Sequence, residues 1–117
     1  MTGYENLEVW QKSIVLVTNV YQLVKSLPKE ETYALSDQIR RSAVSVPSNI
    51  AEGSSRNSKK EFIQFLYISL GSLCELETQL LIAKNVGYIS STEKMKSEII
   101  SIKKMLNALI TSIKNTI

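Results

Sequence analysis

Four stretches of this 117-residue chain repeat their apolar residues at steps of three and four, and only short polar or Gly/Pro breaks separate them. That spacing places a stripe of side chains along one side of an α-helix, and no stretch sustains the period-two alternation of a strand. In the first, Leu7, Trp10, Ile14, Val17, Tyr21 and Val24 form a seam widened by Val9, Leu16, Val20 and Leu23. Pro28 closes it, so a helix is predicted over about 5–27. The second, over about 32–52, carries Leu35, Ile39, Ala43, Val46 and Ile50. Thr32 is its expected N-cap, Gly53 its terminating glycine, and Pro47 the place for a kink.

The third helix, over about 59–85, opens on the capping box Ser58-Lys59-Lys60-Glu61 and carries Phe62, Leu66, Ser69, Leu73, Leu76, Leu80 and Ala83. A second capping box at Ser90-Ser91-Thr92-Glu93 begins the fourth, over about 91–115, with Met95, Ile99, Ile102, Leu106, Leu109 and Ile113. Short links between long helices favour antiparallel neighbours. The expected fold class is therefore all-α, an antiparallel up-down-up-down four-helix bundle forming one domain over residues 1–117.

The apolar residues exceed what one such core uses. A bundle helix needs about three core positions per heptad. The third helix adds Ile63, Phe65, Tyr67, Ile68, Leu70, Leu81 and Ile82 to its seam. A second buried face, and hence a homo-oligomer, is expected.

Catalytic chemistry has little to work with. The chain has no histidine and one cysteine, which excludes a zinc site built on four nitrogen or sulfur ligands, an imidazole-based triad and an internal disulfide. Cys74 falls in an apolar part of the third helix and reads as an inert packing residue. Glu75 and Glu77 are two apart and point to different faces. Gly71 and Gly87 belong to no phosphate loop, and the five tyrosines are dispersed. No catalytic residue, metal site or cofactor is expected, and the chain reads as a non-enzyme. The N-terminus has no basic cluster or apolar run of a secretory signal, and no unbroken apolar run approaches the roughly 20 residues of a membrane span. A cytoplasmic protein without a membrane partner is the expectation.

Two polar features remain. Gln38, Arg41, Ser45, Asn49 and Glu52 are spaced by three and four along the second helix, and Ser69, Ser72, Glu75 and Gln79 run compatibly along the third. Either both stripes face water, or they form a part-buried network in which Arg41 pairs with Glu75 or Glu52 and fixes helix register. Charge also gathers locally. The formal charge is +3 overall, yet between Gln38 and Lys60 five cations (Arg40, Arg41, Arg56, Lys59 and Lys60) face Glu52 alone. With the hydroxyls and amide of Ser54-Ser55-Arg56-Asn57-Ser58 and a helix N-terminus beside them, Arg40, Arg56, Lys59 and Lys60 are candidate phosphate contacts.

The order of these features resembles a known family. An opening like Tyr4-Glu5-Asn6-Leu7-Glu8-Val9-Trp10 leads to Leu27-Pro28-Lys29-Glu30-Glu31. LSDQIRRSAVSVPSNIAEGSSR follows over Leu35–Arg56, then KKEFIQFLYISLGSLCELETQL over Lys59–Leu80, then Gly87-Tyr88. The chain resembles the 23S rRNA intervening-sequence proteins, four-helix bundles encoded within large-subunit ribosomal RNA genes. It is more distantly similar to the accessory variability proteins of diversity-generating retroelements. The resemblance spans about Tyr4 to Tyr88, with QIRRSAVSVPSNIAEG its most specific part. It implies a bacterial, non-enzymatic protein that assembles as a homopentameric ring, with RNA or DNA as the leading candidate partner. It also marks Gln38, Arg41, Ser45, Asn49, Glu52 and Gly53 as the signature polar stretch. The alternative is a protein-protein adaptor that docks a partner such as a nucleic-acid enzyme.

Overall fold

The computed structural model describes residues 3–117 and has the expected architecture, an all-α antiparallel four-helix bundle measuring 46 × 23 × 21 Å. A 3₁₀ turn at Tyr4–Asn6 precedes α1 (Glu8–Val24), and a second at Lys29–Glu31 precedes α2 (Leu35–Ser54). α3 (Lys59–Asn85) and α4 (Glu93–Lys114) complete the chain. Each helix packs on its two neighbours in the cycle α1–α2–α3–α4, and the diagonal pairs do not meet.

The core stripes of α2, α3 and α4 follow the sequence seams closely. Ile39, Ala43, Val46 and Ile50 meet Leu66, Leu73, Leu76 and Leu80, with Ile99, Ile102 and Leu106 from α4, all of them almost wholly buried. Removing each large side chain of this kind from water contributes about 1.5–3 kcal/mol.

The first helix is shifted. Its inner face is Val9, Ser13, Leu16, Val20 and Val24, while Ile14 and Tyr21, placed in the predicted seam, are 39% and 44% exposed. Two apolar stripes lie side by side on this helix, and spacing alone does not say which one turns inward. The inner choice buries Ser13, whose hydroxyl is satisfied by donating to the Trp10 carbonyl at 2.7 Å.

Several helix ends also differ from expectation. Leu7 is extended, separating the first turn from α1, and α1 stops at Val24 rather than Leu27. Thr32 does not cap α2, which starts three residues later behind Ala34. There Oε1 of Glu31 accepts from the Leu35 amide at 3.2 Å and stands in for an N-cap. α4 begins at Glu93 behind Thr92. The expected box from Ser90 does not form, and the Ser91 hydroxyl accepts from the Glu93 amide at 3.2 Å instead. At α3 the Ser58 hydroxyl does accept from the Glu61 amide, at 3.2 Å. α2 passes through Pro47 without interruption.

Two glycines have roles set by geometry. Gly53 does not end α2; it is buried inside its last turn, where an added Cβ would lie 2.6 Å from Cβ of Phe65. It is therefore a point of close helix approach. Gly87 takes the left-handed conformation, φ +92°, one residue past the C-cap of α3. Its amide donates to the Lys84 carbonyl at 3.0 Å and that of Tyr88 to the Ala83 carbonyl at 2.9 Å, closing a Schellman motif.

Candidate nucleic-acid interface

The link between α2 and α3 is four residues, Ser55 to Ser58, so the last turn of α2 and the first of α3 lie together at one end of the bundle. Gly53 sets their spacing, because Phe62 and Phe65 rest against its backbone. Phe65 in turn carries Arg56, whose guanidinium carbon lies 5.0 Å from the ring centroid. Arg56 also holds two carboxylates, Glu52 at 3.1 Å and Glu61 at 3.8 Å, so its charge is largely answered within the corner.

Lys59 and Lys60 are exposed in the first turn of α3. Lys59 Nζ donates to the Thr116 carbonyl at 3.2 Å, which brings the C-terminal end of α4 to the same corner. Lys60 has no ion-pair partner among the described residues. Arg40 stands apart from all three. Sixteen residues before Arg56, it lies about 24 Å away along the helix axis, and one of its amino groups donates to the Thr32 carbonyl at 2.9 Å. The cation count from Gln38 to Lys60 is thus spread over both ends of α2. Arg56, Lys59 and Lys60 share a corner, and Arg40 does not.

The polar stripe divides in the same way. Ser45 and Ser72 share a hydrogen bond of 2.7 Å between α2 and α3, and the Asn49 amide donates to both the carbonyl and the hydroxyl of Ser45 at 2.8 Å. Ser69, fully buried, donates to the Val46 carbonyl at 2.9 Å. These small side chains let the two helices approach closely while their polar groups stay satisfied.

Arg41 is outside this network. It pairs with Asp37 at 3.0 Å, not with Glu75 or Glu52, and its side chain is 80% exposed. Gln38 and Glu75 are likewise exposed. The spacing placed Gln38 and Arg41 on one stripe of α2 with Ser45 and Asn49, yet only the middle of that stripe touches α3. The stripe runs along the helix edge, where long charged side chains turn to water.

Three features had weaker sequence signals. Cys74 is exposed, contrary to its expected packing role. Lys103 of α4 bonds Glu77 of α3 at 3.0 Å, and this hydrogen bond raises the Lys103 ammonium above its ordinary value, while burial pulls the other way. Tyr88 donates to Oε2 of Glu31 at 2.9 Å. No spacing rule reaches across 57 residues to find that pair. Among the described residues no three His, Cys, Asp or Glu side chains are grouped to hold a metal ion.

A family model described as 23S rRNA-intervening sequence protein matches residues 5–108. The chain belongs to the 23S rRNA-intervening sequence protein family. The family match continues through most of α4, well beyond Tyr88, where the recognisable motifs ended. A crystal structure of a protein of unknown function from the S23 ribosomal protein family of Bacteroides thetaiotaomicron is similar to it. The two are 30% identical with a TM-score of 0.79, over 87% of this chain and 97% of that one. No curated protein matches the chain. In this member of the intervening-sequence family, three of the four candidate cations, Arg56, Lys59 and Lys60, stand at one corner of the bundle.

Proposed function

We propose that the protein is a non-enzymatic homo-oligomer, a pentameric ring in its family's expected form, which binds RNA or other nucleic acid through repeated α2–α3 corners. The observation carrying this reading is the corner itself. Two exposed lysines, without carboxylate partners among the described residues, stand at the Ser58-capped start of α3, where the partial positive charge of the helix end also favours anions. One such corner is weak. Several related by symmetry would sum their fields over an extended phosphate backbone, giving affinity without base specificity.

Assembly is supported by unpartnered apolar surface. α3 is long and apolar enough to cross a membrane, yet only about a third of its most apolar stretch is buried. In the bundle it serves as a core helix with Tyr67, Ile68, Leu81 and Ile82 left exposed. Ile14, Tyr21 and Val44 are exposed on α1 and α2. Two unlike faces on one protomer suit a heterologous contact, the kind that closes into rings. The same surplus favours one second reading, an adaptor that docks another protein through its apolar face.

Salt separates the two, because phosphate contacts release counterions and apolar docking does not. Binding of a fluorescent RNA and of a DNA of the same sequence is to be measured from low to physiological salt. Wild type is compared with Lys59→Glu and Lys60→Glu, and light scattering reports the mass. Affinity that falls steeply with salt and in both variants, from an oligomer, is the expected result. No binding at low salt leaves the adaptor; a monomer at micromolar concentration removes the ring.

A further inference from the structure

The other end of α2 holds a second set of cations that the corner does not use. We infer that the cleft between the end of α1 and the start of α2 binds a terminal phosphate group, the phosphomonoester of a nucleotide or of an RNA 5′ end. Lys25 follows the last residue of α1, Lys29 opens the 3₁₀ turn after Pro28, and Arg40 lies in the second turn of α2. With Tyr21, Thr32 and Ser36 they line one cleft of about 470 Å³.

The charges in this cleft are unanswered. None of Lys25, Lys29 and Arg40 has a carboxylate within ion-pair distance among the described residues, whereas Arg41 has one and Arg56 has two. Arg40 is half-buried, and its bond to the Thr32 carbonyl fixes the guanidinium in the wall while leaving other N–H donors free. The carboxylates nearby are poorly placed to neutralise it. Glu31 spends one oxygen on the Leu35 amide and the other on the Tyr88 hydroxyl, and Glu30 is exposed. Ser36 in the first turn of α2 lines the cleft, so the positive end of that helix dipole adjoins it.

Three cations around one concavity repel one another until an anion enters. Phosphate suits the set, because it accepts from a guanidinium fork, from ammonium groups and from hydroxyls together. A terminal phosphate suits it better than an internal one. Its charge at neutral pH is about −1.5 to −2, against one per internal phosphodiester. An end group also enters a concave cleft that a continuous backbone would have to bend into. The inference does not depend on the RNA reading, since a free nucleotide offers the same group.

The test compares 5′-phosphorylated with 5′-hydroxyl oligouridine, and uridine monophosphate with uridine, on the full chain. Wild type, the double variant Lys25→Glu/Lys29→Glu and Lys60→Glu are titrated at low salt. Both cleft lysines are exposed, and a circular-dichroism melt verifies that the double variant folds. Expected is a preference of about tenfold for each phosphorylated member, lost in the double variant. Lys60→Glu should weaken RNA binding overall and leave the preference intact. Equal binding of both RNAs with no uptake of the monophosphate overturns the cleft and leaves RNA binding standing. Monophosphate binding without RNA binding supports the cleft and overturns the RNA reading. A preference that survives in the double variant places the phosphate elsewhere and overturns the assignment.

Discussion

Tyr88 and Glu31 face each other across the end of the bundle, the phenol donating to the carboxylate at 2.9 Å. The bond ties the residue after the Gly87 turn to the 3₁₀ turn before α2, so two connections far apart in sequence brace one another. It also holds Glu31 where its other oxygen serves the first amide of α2.

That bond makes stability depend on pH in the alkaline range. The hydrogen bond to Glu31 raises the Tyr88 pKa above its ordinary 10.0, assisted by desolvation and by the charges of Glu31 and Glu30. A phenol whose folded pKa is raised contributes fully below its unfolded pKa and loses that contribution as pH rises through the folded value. Wild type should therefore weaken above about pH 10 by more than Tyr88→Phe does. Urea midpoints on both sides of that pH are the measurement; parallel pH profiles would show that the bond contributes nothing.

The three described glycines within or beside α2 and α3 should respond differently to alanine. Gly53→Ala forces a Cβ to within 2.6 Å of Phe65 Cβ, an atom that cannot swing away, and should cost about 1–3 kcal/mol. Gly71 has nothing within 4 Å of its added Cβ, so Gly71→Ala should stabilise by about 0.5–1 kcal/mol through helix propensity. Gly87→Ala, at φ +92°, should cost about 1–2 kcal/mol with no steric contact at all. Chemical denaturation of the three variants tests the set, and a neutral Gly53→Ala would contradict the close approach.

Two arginines of one stretch should differ in weight. Arg41 holds a single exposed i,i+4 pair, and Arg41→Ala should stay within about 0.5 kcal/mol of wild type. Arg56 sits on Phe65 between two glutamates, and Arg56→Ala should cost about 1 kcal/mol. Thermal melts suffice to rank them; an Arg41 effect equal to or above that of Arg56 would mean that Arg41 reaches a partner other than Asp37.

The serine pair gives a coupling to measure. Ser72→Ala leaves the Ser45 hydroxyl without its partner on α3 and should cost about 1 kcal/mol, whereas adding Ser45→Ala should cost less than the sum of the two. A double-mutant cycle that closes additively would show two independent hydroxyls.

These contrasts mark what the sequence could and could not disclose. The stripes of α2 and α4 were legible because each has one apolar face of ordinary width, and on α3 the predicted seam of Leu66, Leu73, Leu76 and Leu80 is buried although further apolar residues flank it. On α1 two stripes compete, and the choice falls to the neighbouring helices, which no local spacing encodes. The basic run was legible as composition but not as geometry, since the 20-residue α2 parts Arg40, in its second turn, from Arg56, in the link that follows it. Likewise Arg41 shares a stripe with Ser45 and Asn49, yet its long side chain reaches Asp37 on its own helix before any acid on α3. The role of Gly53 was hidden because close approach and chain reversal both call for glycine.

The exposed position of Cys74 has a practical consequence. As the chain's one thiol, halfway along its longest helix and open to solvent, it accepts a single maleimide probe at a known coordinate without any engineered cysteine. A spin label there would report its distance to the same label on any neighbouring copy. In a closed ring those distances come as one short side and its diagonals, and their ratio counts the subunits.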